Sequence, residues 1–280
     1  MTASAFEPIA LHPVVADPHP PVLALHASAS SGAQWKGLAD YLRGRYRVIA
    51  PDLPGYGMAC LHGSRNLADI ADRVVGAMLG TSVSMHVVGH GLGAAVALEI
   101  AAVRPGLVRS LTLIEPMAFH LLRDGDGSDL ELFSELSDLA GRMAALTAAG
   151  CPEAGMQAYV DFWYGDGAWS RTGAGLRKVL ARQAEHVARD LLGSLALNRS
   201  AAHWSDIRCP TLVVMGLESP VASLRVTEMV AETINGARLM MISEAGHMAP
   251  LTDPHIIDPM IGVHLGMADG LGWPVRDRAA

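Results

Sequence analysis

Apolar residues alternate along the chain between two patterns. Short unbroken runs at Val22–His26, Tyr46–Ala50, Ser84–Gly89, Val108–Ile114, Thr211–Met215 and Arg238–Ile242 read as buried strands. Between them, apolar positions recur at helical spacing. Trp35, Leu38, Ala39 and Leu42 mark a helix over 33–42, and Ile70, Val74, Ala77 and Met78 mark one over 67–79. Leu92–Val103 is a third helix, ended before Pro105, and Pro254–Leu265 is a closing one. Strands alternating with helices predict an α/β fold: a mostly parallel central sheet with helices on both faces.

Residues 117–208 break this alternation. Phe133, Leu136, Ala140 and Met143 lie at helical spacing within 128–146, Pro152 reads as a first-turn proline, and 176–192 carries another helical pattern. A strandless stretch between two strands predicts an inserted helical cap over 117–208, with the core formed by 1–116 and 209–280. The cap holds eight of the chain's fourteen aromatic residues: Phe119, Phe133, Tyr159, Phe162, Trp163, Tyr164, Trp169 and Trp204. Such clustering fits an aromatic-walled pocket facing the sheet, and equally the private core of a small helical lobe.

Composition narrows the partners. Half of the 280 residues are apolar and 18% are charged, enough for a sizeable core. The net charge of −7 comes without a basic block, which excludes nucleic acid and anionic membrane surfaces as expected partners. The apolar stretch from Val83 to Val103 is interrupted by His86, His90, Glu99 and several glycines, so it is not a membrane span. Cys60, Cys151 and Cys209 are too scattered for a disulfide framework or a zinc site. The Pro- and His-containing segment before Pro21 lacks the pattern of a secretory leader, and the cytoplasm is the expected compartment. No cofactor is expected, and the sequence leaves the oligomeric state open.

The chemistry concentrates where a strand runs through Gly89-His90-Gly91-Leu92-Gly93 into a helix, the geometry of a nucleophile elbow. Leu25-His-Ala-Ser-Ala-Ser-Ser-Gly32 and Ala50-Pro-Asp-Leu-Pro-Gly-Tyr-Gly57 precede it, and Glu244-Ala-Gly-His-Met-Ala-Pro-Leu251 follows. In this order and spacing, the four segments make nearly the whole chain resemble an α/β-hydrolase-fold protein of the esterase and lipase kind.

The resemblance implies roles for particular residues. Gly91 stands at the nucleophile position, where the family usually has Ser and sometimes Asp or Cys. Glycine has nothing to attack with, so an acyl-enzyme at this position is excluded. His247 is implied as the base. The acid is Glu115 at the end of a strand or, alternatively, Glu218 beside Ser219, with Glu115 favoured. The Leu92 and Ser28 amides are implied as the oxyanion hole. Ala27, which replaces the family's usual glycine, is placed at the substrate together with His90, Trp163 and Met248. A metal site formed by His26, His90 and His247 has no supporting spacing. The resemblance thus implies an inactivated or altered hydrolase, whose expected substrate is a small, largely apolar ester- or carbonyl-containing molecule. Two other readings stay open: a non-covalent general-base enzyme of the lyase, cyclase or isomerase type, and an inactive ligand-binding protein.

Overall fold

Six strands pair in parallel in the order β2-β1-β3-β4-β5-β6: β1 (Pro21–Leu25), β2 (Arg47–Ile49), β3 (Met85–His90), β4 (Val108–Ile114), β5 (Thr211–Gly216) and β6 (Arg238–Ile242). The computed structural model describes residues 18–57, 67–78 and 84–270. Cys60, Leu79, Val83 and the segment before residue 18 lie outside the described residues. β1, β3 and β5 are buried along their whole length, as expected for strands covered on both faces.

The covering helices fall on two sides. α1 (Lys36–Leu42) and, at the far end of the chain, the helix Pro254–Ala268 pack Leu38, Leu42, Ile257, Ile261 and Leu265 against Val22, Val88 and Val214. α2 (Leu67–Met78) and α3 (Leu92–Val103) pack Ile70, Val74, Val96 and Ile100 against Leu23, Val87 and Leu111 on the opposite side. The expected helix over 33–42 begins instead with a tight 3₁₀ turn, Gly32–Trp35.

Between Ile114 and Thr211 the described chain is helical without a strand: α4 (Gly127–Ala148), α5 (Pro152–Tyr164), α6 (Ala168–Arg171), α7 (Ala174–Ala181) and α8 (Ala184–Ala196). Asp126 starts α4 with a capping box closed by Asp129, and Pro152 starts α5. The single helix expected over 176–192 is two. No helix-breaking residue separates α7 from α8; α7 packs on α5 while α8 packs on α4, and this divergence bends the chain at Arg182–Gln183. After β5 the structure adds α9 (Val221–Thr233), which the apolar pattern did not mark. α10 (Ala249–Thr252) and α11 (Pro254–Ala268) are the last elements among the described residues.

A buried polar cluster joins the insertion to the core. Glu99 of α3 accepts from the Trp204 indole N–H at 3.3 Å and pairs with Arg199 at 3.3 Å. The carboxylate is almost wholly buried, so its partners must be retained. We expect Glu99→Ala to lower stability by about 2 kcal/mol, read as a shift of the urea midpoint at unchanged slope.

Candidate active site

β3 delivers the chain into α3 through one sharply turned residue. Gly91 has φ 54° and ψ −114°, a conformation that a side-chain-bearing residue adopts only under strain. Its N–H donates to the Ile114 carbonyl at 3.0 Å, and its own carbonyl accepts from Met117 at 3.0 Å. β3 and β4 therefore hold the turn from both ends. Gly93 lets α3 approach β1 closely, since a Cβ there would collide with the Leu25 carbonyl. A Cβ built on Gly91 would lie 3.6 Å from His247 Nε2 and 3.2 Å from the Ala27 methyl.

β4 ends in Glu115, which has a positive φ of 42°. Its buried carboxylate collects four donors from elements that converge on the sheet's end. Oε1 accepts from the Gly216 N–H at 2.9 Å and the Ser219 hydroxyl at 2.6 Å. Oε2 accepts from the Ser223 hydroxyl at 2.7 Å and from His247 Nδ1 at 2.8 Å. Burial alone would raise its pKa; the His247 bond and charge, with the Ser219 and Gly216 donors, outweigh that and bring it down to about 2. A carboxylate at Oε2 makes Nδ1 the protonated nitrogen of His247 and leaves Nε2 an acceptor facing Gly91. Glu218, the alternative acid, is exposed and turned away, while Ser219 donates to Glu115.

His90 lies beneath His247, ring centroids 4.7 Å apart. Its Nε2–H donates to the His247 carbonyl at 2.8 Å, and its Nδ1 accepts from the Gln34 amide at 3.0 Å. The Gln34 carbonyl in turn accepts from the Ala27 N–H at 3.3 Å. Both His90 nitrogens are thus engaged by protein groups, and the residue ties the His247 loop to the β1 loop. Gln34 carried no sequence signal for this role. Burial, reinforced by the nearby His247, lowers the His90 pKa to about 3. His26 is likewise spent, with Nδ1–H on the Ala27 carbonyl and Nε2 accepting from the Leu53 N–H, and burial lowers its pKa to about 4. Neither histidine has a nitrogen left for a metal, and no metal-binding group of three or more residues occurs among the described residues.

The Leu92 amide opens α3, where backbone N–H groups lack helical partners. The Ser28 hydroxyl donates to Asp190 of α8 at 2.7 Å, and the Tyr56 hydroxyl donates to the same carboxylate oxygen. Asp190 is a contact that no local pattern announced, 162 residues from Ser28. A pocket of about 60 Å³ opens here between core and insertion. Ser28, His247 and Met248 form one side, and Met156, Tyr159 and Trp163 the other. Ala27 faces position 91 and does not line this pocket. The cap aromatics therefore serve both as pocket wall and as lobe core. A larger hollow of about 650 Å³ lies between α4 and α5, lined by Glu135, Asp138, Arg142 and Asp161 and remote from these groups.

A parallel sheet, a strand–turn–helix elbow and a buried His–Glu pair over it define the α/β-hydrolase architecture. The chain belongs to the alpha/beta hydrolase family, whose sequence model matches residues 22–257. It is 36% identical over 146 residues to a pimeloyl-[acyl-carrier protein] methyl ester esterase of Methylococcus capsulatus, covering 48% of this chain and 55% of that protein. It thus spans just over half of that relative's length. It is 21% identical over 254 residues to the (E)-2-((N-methylformamido)methylene)succinate hydrolase of Acinetobacter baylyi, covering 85% of this chain and 87% of that protein. The enol-lactonase of Burkholderia xenovorans shares the fold, with a TM-score of 0.70 at 16% identity over 88% of this chain and 91% of that one. No helix among the described residues is long and apolar enough to cross a membrane.

Acid acts on this site in one direction. His26 and His90, and likewise His86 and His120, whose burial lowers them to about 4, are neutral in the fold and gain protons on unfolding below about pH 6.5. Glu115, depressed by its partners, contributes stability that is lost as pH falls through the carboxylate range towards 2. We expect the thermal midpoint to hold from pH 8 to 7 and fall continuously below about 6.5. His90→Asn should show a shallower fall.

Proposed function

We propose that this chain is a carbonyl-centred enzyme acting on a small, largely apolar ester- or carbonyl-containing molecule without forming an acyl-enzyme at residue 91. In this reading residues 1–116 and 209–280 form the core and 117–208 the cap. The observation that carries it is the 3.6 Å between His247 Nε2 and the position a Cβ at 91 would take. The base stands where it would serve a nucleophile, and Gly91 leaves room there for water or for the substrate itself.

The chemistry then runs through the His247–Glu115 pair. Water attacks the carbonyl carbon while Nε2 takes its proton, and the π electrons of the carbonyl move onto oxygen. The Leu92 and Ser28 amides receive that oxyanion. Collapse expels the leaving oxygen, which takes the proton back from Nε2. General-base help is worth about 10²–10⁴ and one oxyanion donor about 10²–10³, enough for an activated substrate. The hydrolase names of the relatives support the reading, as does a pocket with no Lys or Arg among its described lining residues.

Proton abstraction from carbon, as in a lyase, cyclase or isomerase, is the second reading. The Ala27 methyl, 3.2 Å from the place of a residue-91 Cβ, fits either reading, since neither needs a side chain at 91.

On activated aryl esters we expect slow turnover by this chain, without a burst, and its loss in His247→Ala. Gly91→Ser should add a burst and raise turnover about 10³-fold or more, near 4 kcal/mol of barrier. Its elbow strain should cost about 1–3 kcal/mol of stability. Adding Ala27→Gly should raise turnover further by freeing the new Cβ. A folded Gly91→Ser variant with no gain would favour proton abstraction instead.

A further inference from the structure

The His247 imidazole is held from three directions. Glu115 accepts a hydrogen bond from its Nδ1–H at 2.8 Å, and the His90 ring lies at 4.7 Å. The third contact comes from the insertion. The Trp163 ring of α5 stacks on the imidazole with centroids 3.9 Å apart and planes 22° from parallel. Both rings are almost wholly buried.

Trp163 is itself boxed in. Phe119 stacks beside it at 6.3 Å, Phe162 meets it edge-on at 5.2 Å, and Tyr159 does so at 6.0 Å. With one face on His247 and the ring packed among aromatics, the indole offers a ligand little more than an edge. The residue also lines the pocket beside His247 and Met248.

We infer that Trp163 is a positioning residue for the base: its face holds the His247 imidazole with Nε2 towards Gly91 and stabilises the imidazolium formed when Nε2 takes a proton. The inference rests on the reading of His247 as the general base. An indole face within 6 Å of a cation attracts it through the ring quadrupole, and more strongly when both are shielded from water. The proton arrives from water or substrate, the electron pair stays on the atom that lost it, and the positive charge stays on the imidazolium, balanced by the Glu115 carboxylate and the indole face. Among the described residues, the other titratable groups around this imidazole are His90 from β3 and, across the pocket, Tyr159 and Tyr164 from α5. Burial keeps His90 neutral and raises both tyrosines, to about 12 for Tyr164. The cap thereby takes part in the chemistry through the base, without a group of its own at the reacting atoms.

Tryptophan emission tests this without any substrate. A protonated imidazole stacked on an indole quenches it, so emission should fall on acidification from about pH 8 to about pH 5. Far-UV circular dichroism should stay constant over the range. The fall should disappear in Trp163→Phe and in His247→Gln; Trp204, which meets His120 at 5.6 Å, stays in both variants and serves as the internal control. In the Gly91→Ser background, Trp163→Leu should lower kcat for aryl esters about 10-fold with little change in KM, the size of a shielded cation–π contact. Trp163→Phe should restore most of that loss. A pH-dependent fall that persists in His247→Gln, or no fall in the parent chain, overturns the inference. So does a Trp163→Leu variant that changes KM alone, which would make the indole a substrate wall. Quenching without any ester turnover would leave the stack established and remove the functional reading instead.

Discussion

The buried Glu115 carboxylate is the constraint on which the rest of the site depends. A charge this deep persists only if every lone pair is met, and here the donors come from four places: the end of β5, Ser219 in the loop after it, Ser223 at the start of α9, and His247 after β6. Satisfying one carboxylate thus fixes the relative positions of the end of β5, the start of α9 and the loop after β6. The positive φ of Glu115 is the local strain accepted for this, of order 1–3 kcal/mol. Because Nδ1 is committed to the carboxylate, the other nitrogen of His247 is the one presented to the elbow.

The elbow keeps its backbone geometry around a residue with no side chain. Gly91 holds φ 54° and ψ −114° because the Ile114 carbonyl and the Met117 N–H take its two polar groups. Residue 91 has no side chain, and the Ala27 methyl lies 3.2 Å from the place a Cβ there would take. The opening in front of Nε2 is bounded by Ala27, and the Gln34–His90 relay below it keeps the β1 loop and the His247 loop in register.

The helical insertion closes the site by two contacts of different character. Asp190 draws the Ser28 and Tyr56 hydroxyls to α8, a polar latch on the loop that carries one amide of the proposed oxyanion hole. Trp163 covers the imidazole from α5, an apolar seal that also bears on the charge the base acquires. Acid sensitivity and chemistry therefore draw on the same burial: the environment that keeps His90 and His26 neutral also strengthens the His247–Glu115 pair.

Strands, the glycine turn and the loop before His247 were legible because each is a local signal. Buried parallel strands leave continuous apolar runs, and a sharp strand-to-helix turn needs glycines within a few residues. The ends of β4 and β6 were read to the residue, since Pro116 and the Ser-Glu-Ala-Gly segment stop them. α9 was not, because its apolar positions are mixed with Thr and Glu and only its packing on the sheet side singles them out. Nor was the break between α7 and α8, which partner packing imposes on a continuous helical pattern. The sequence by itself determined the sheet, the glycine elbow and the short list of groups able to do chemistry. Only the tertiary structure decided that Glu115 and not Glu218 meets His247, that Gln34 and Asp190 join the site, and that Trp163 lies on the base. Those contacts join residues 56 to 162 positions apart, and such pairings follow from strand order and helix packing, which hydrophobic periodicity does not encode.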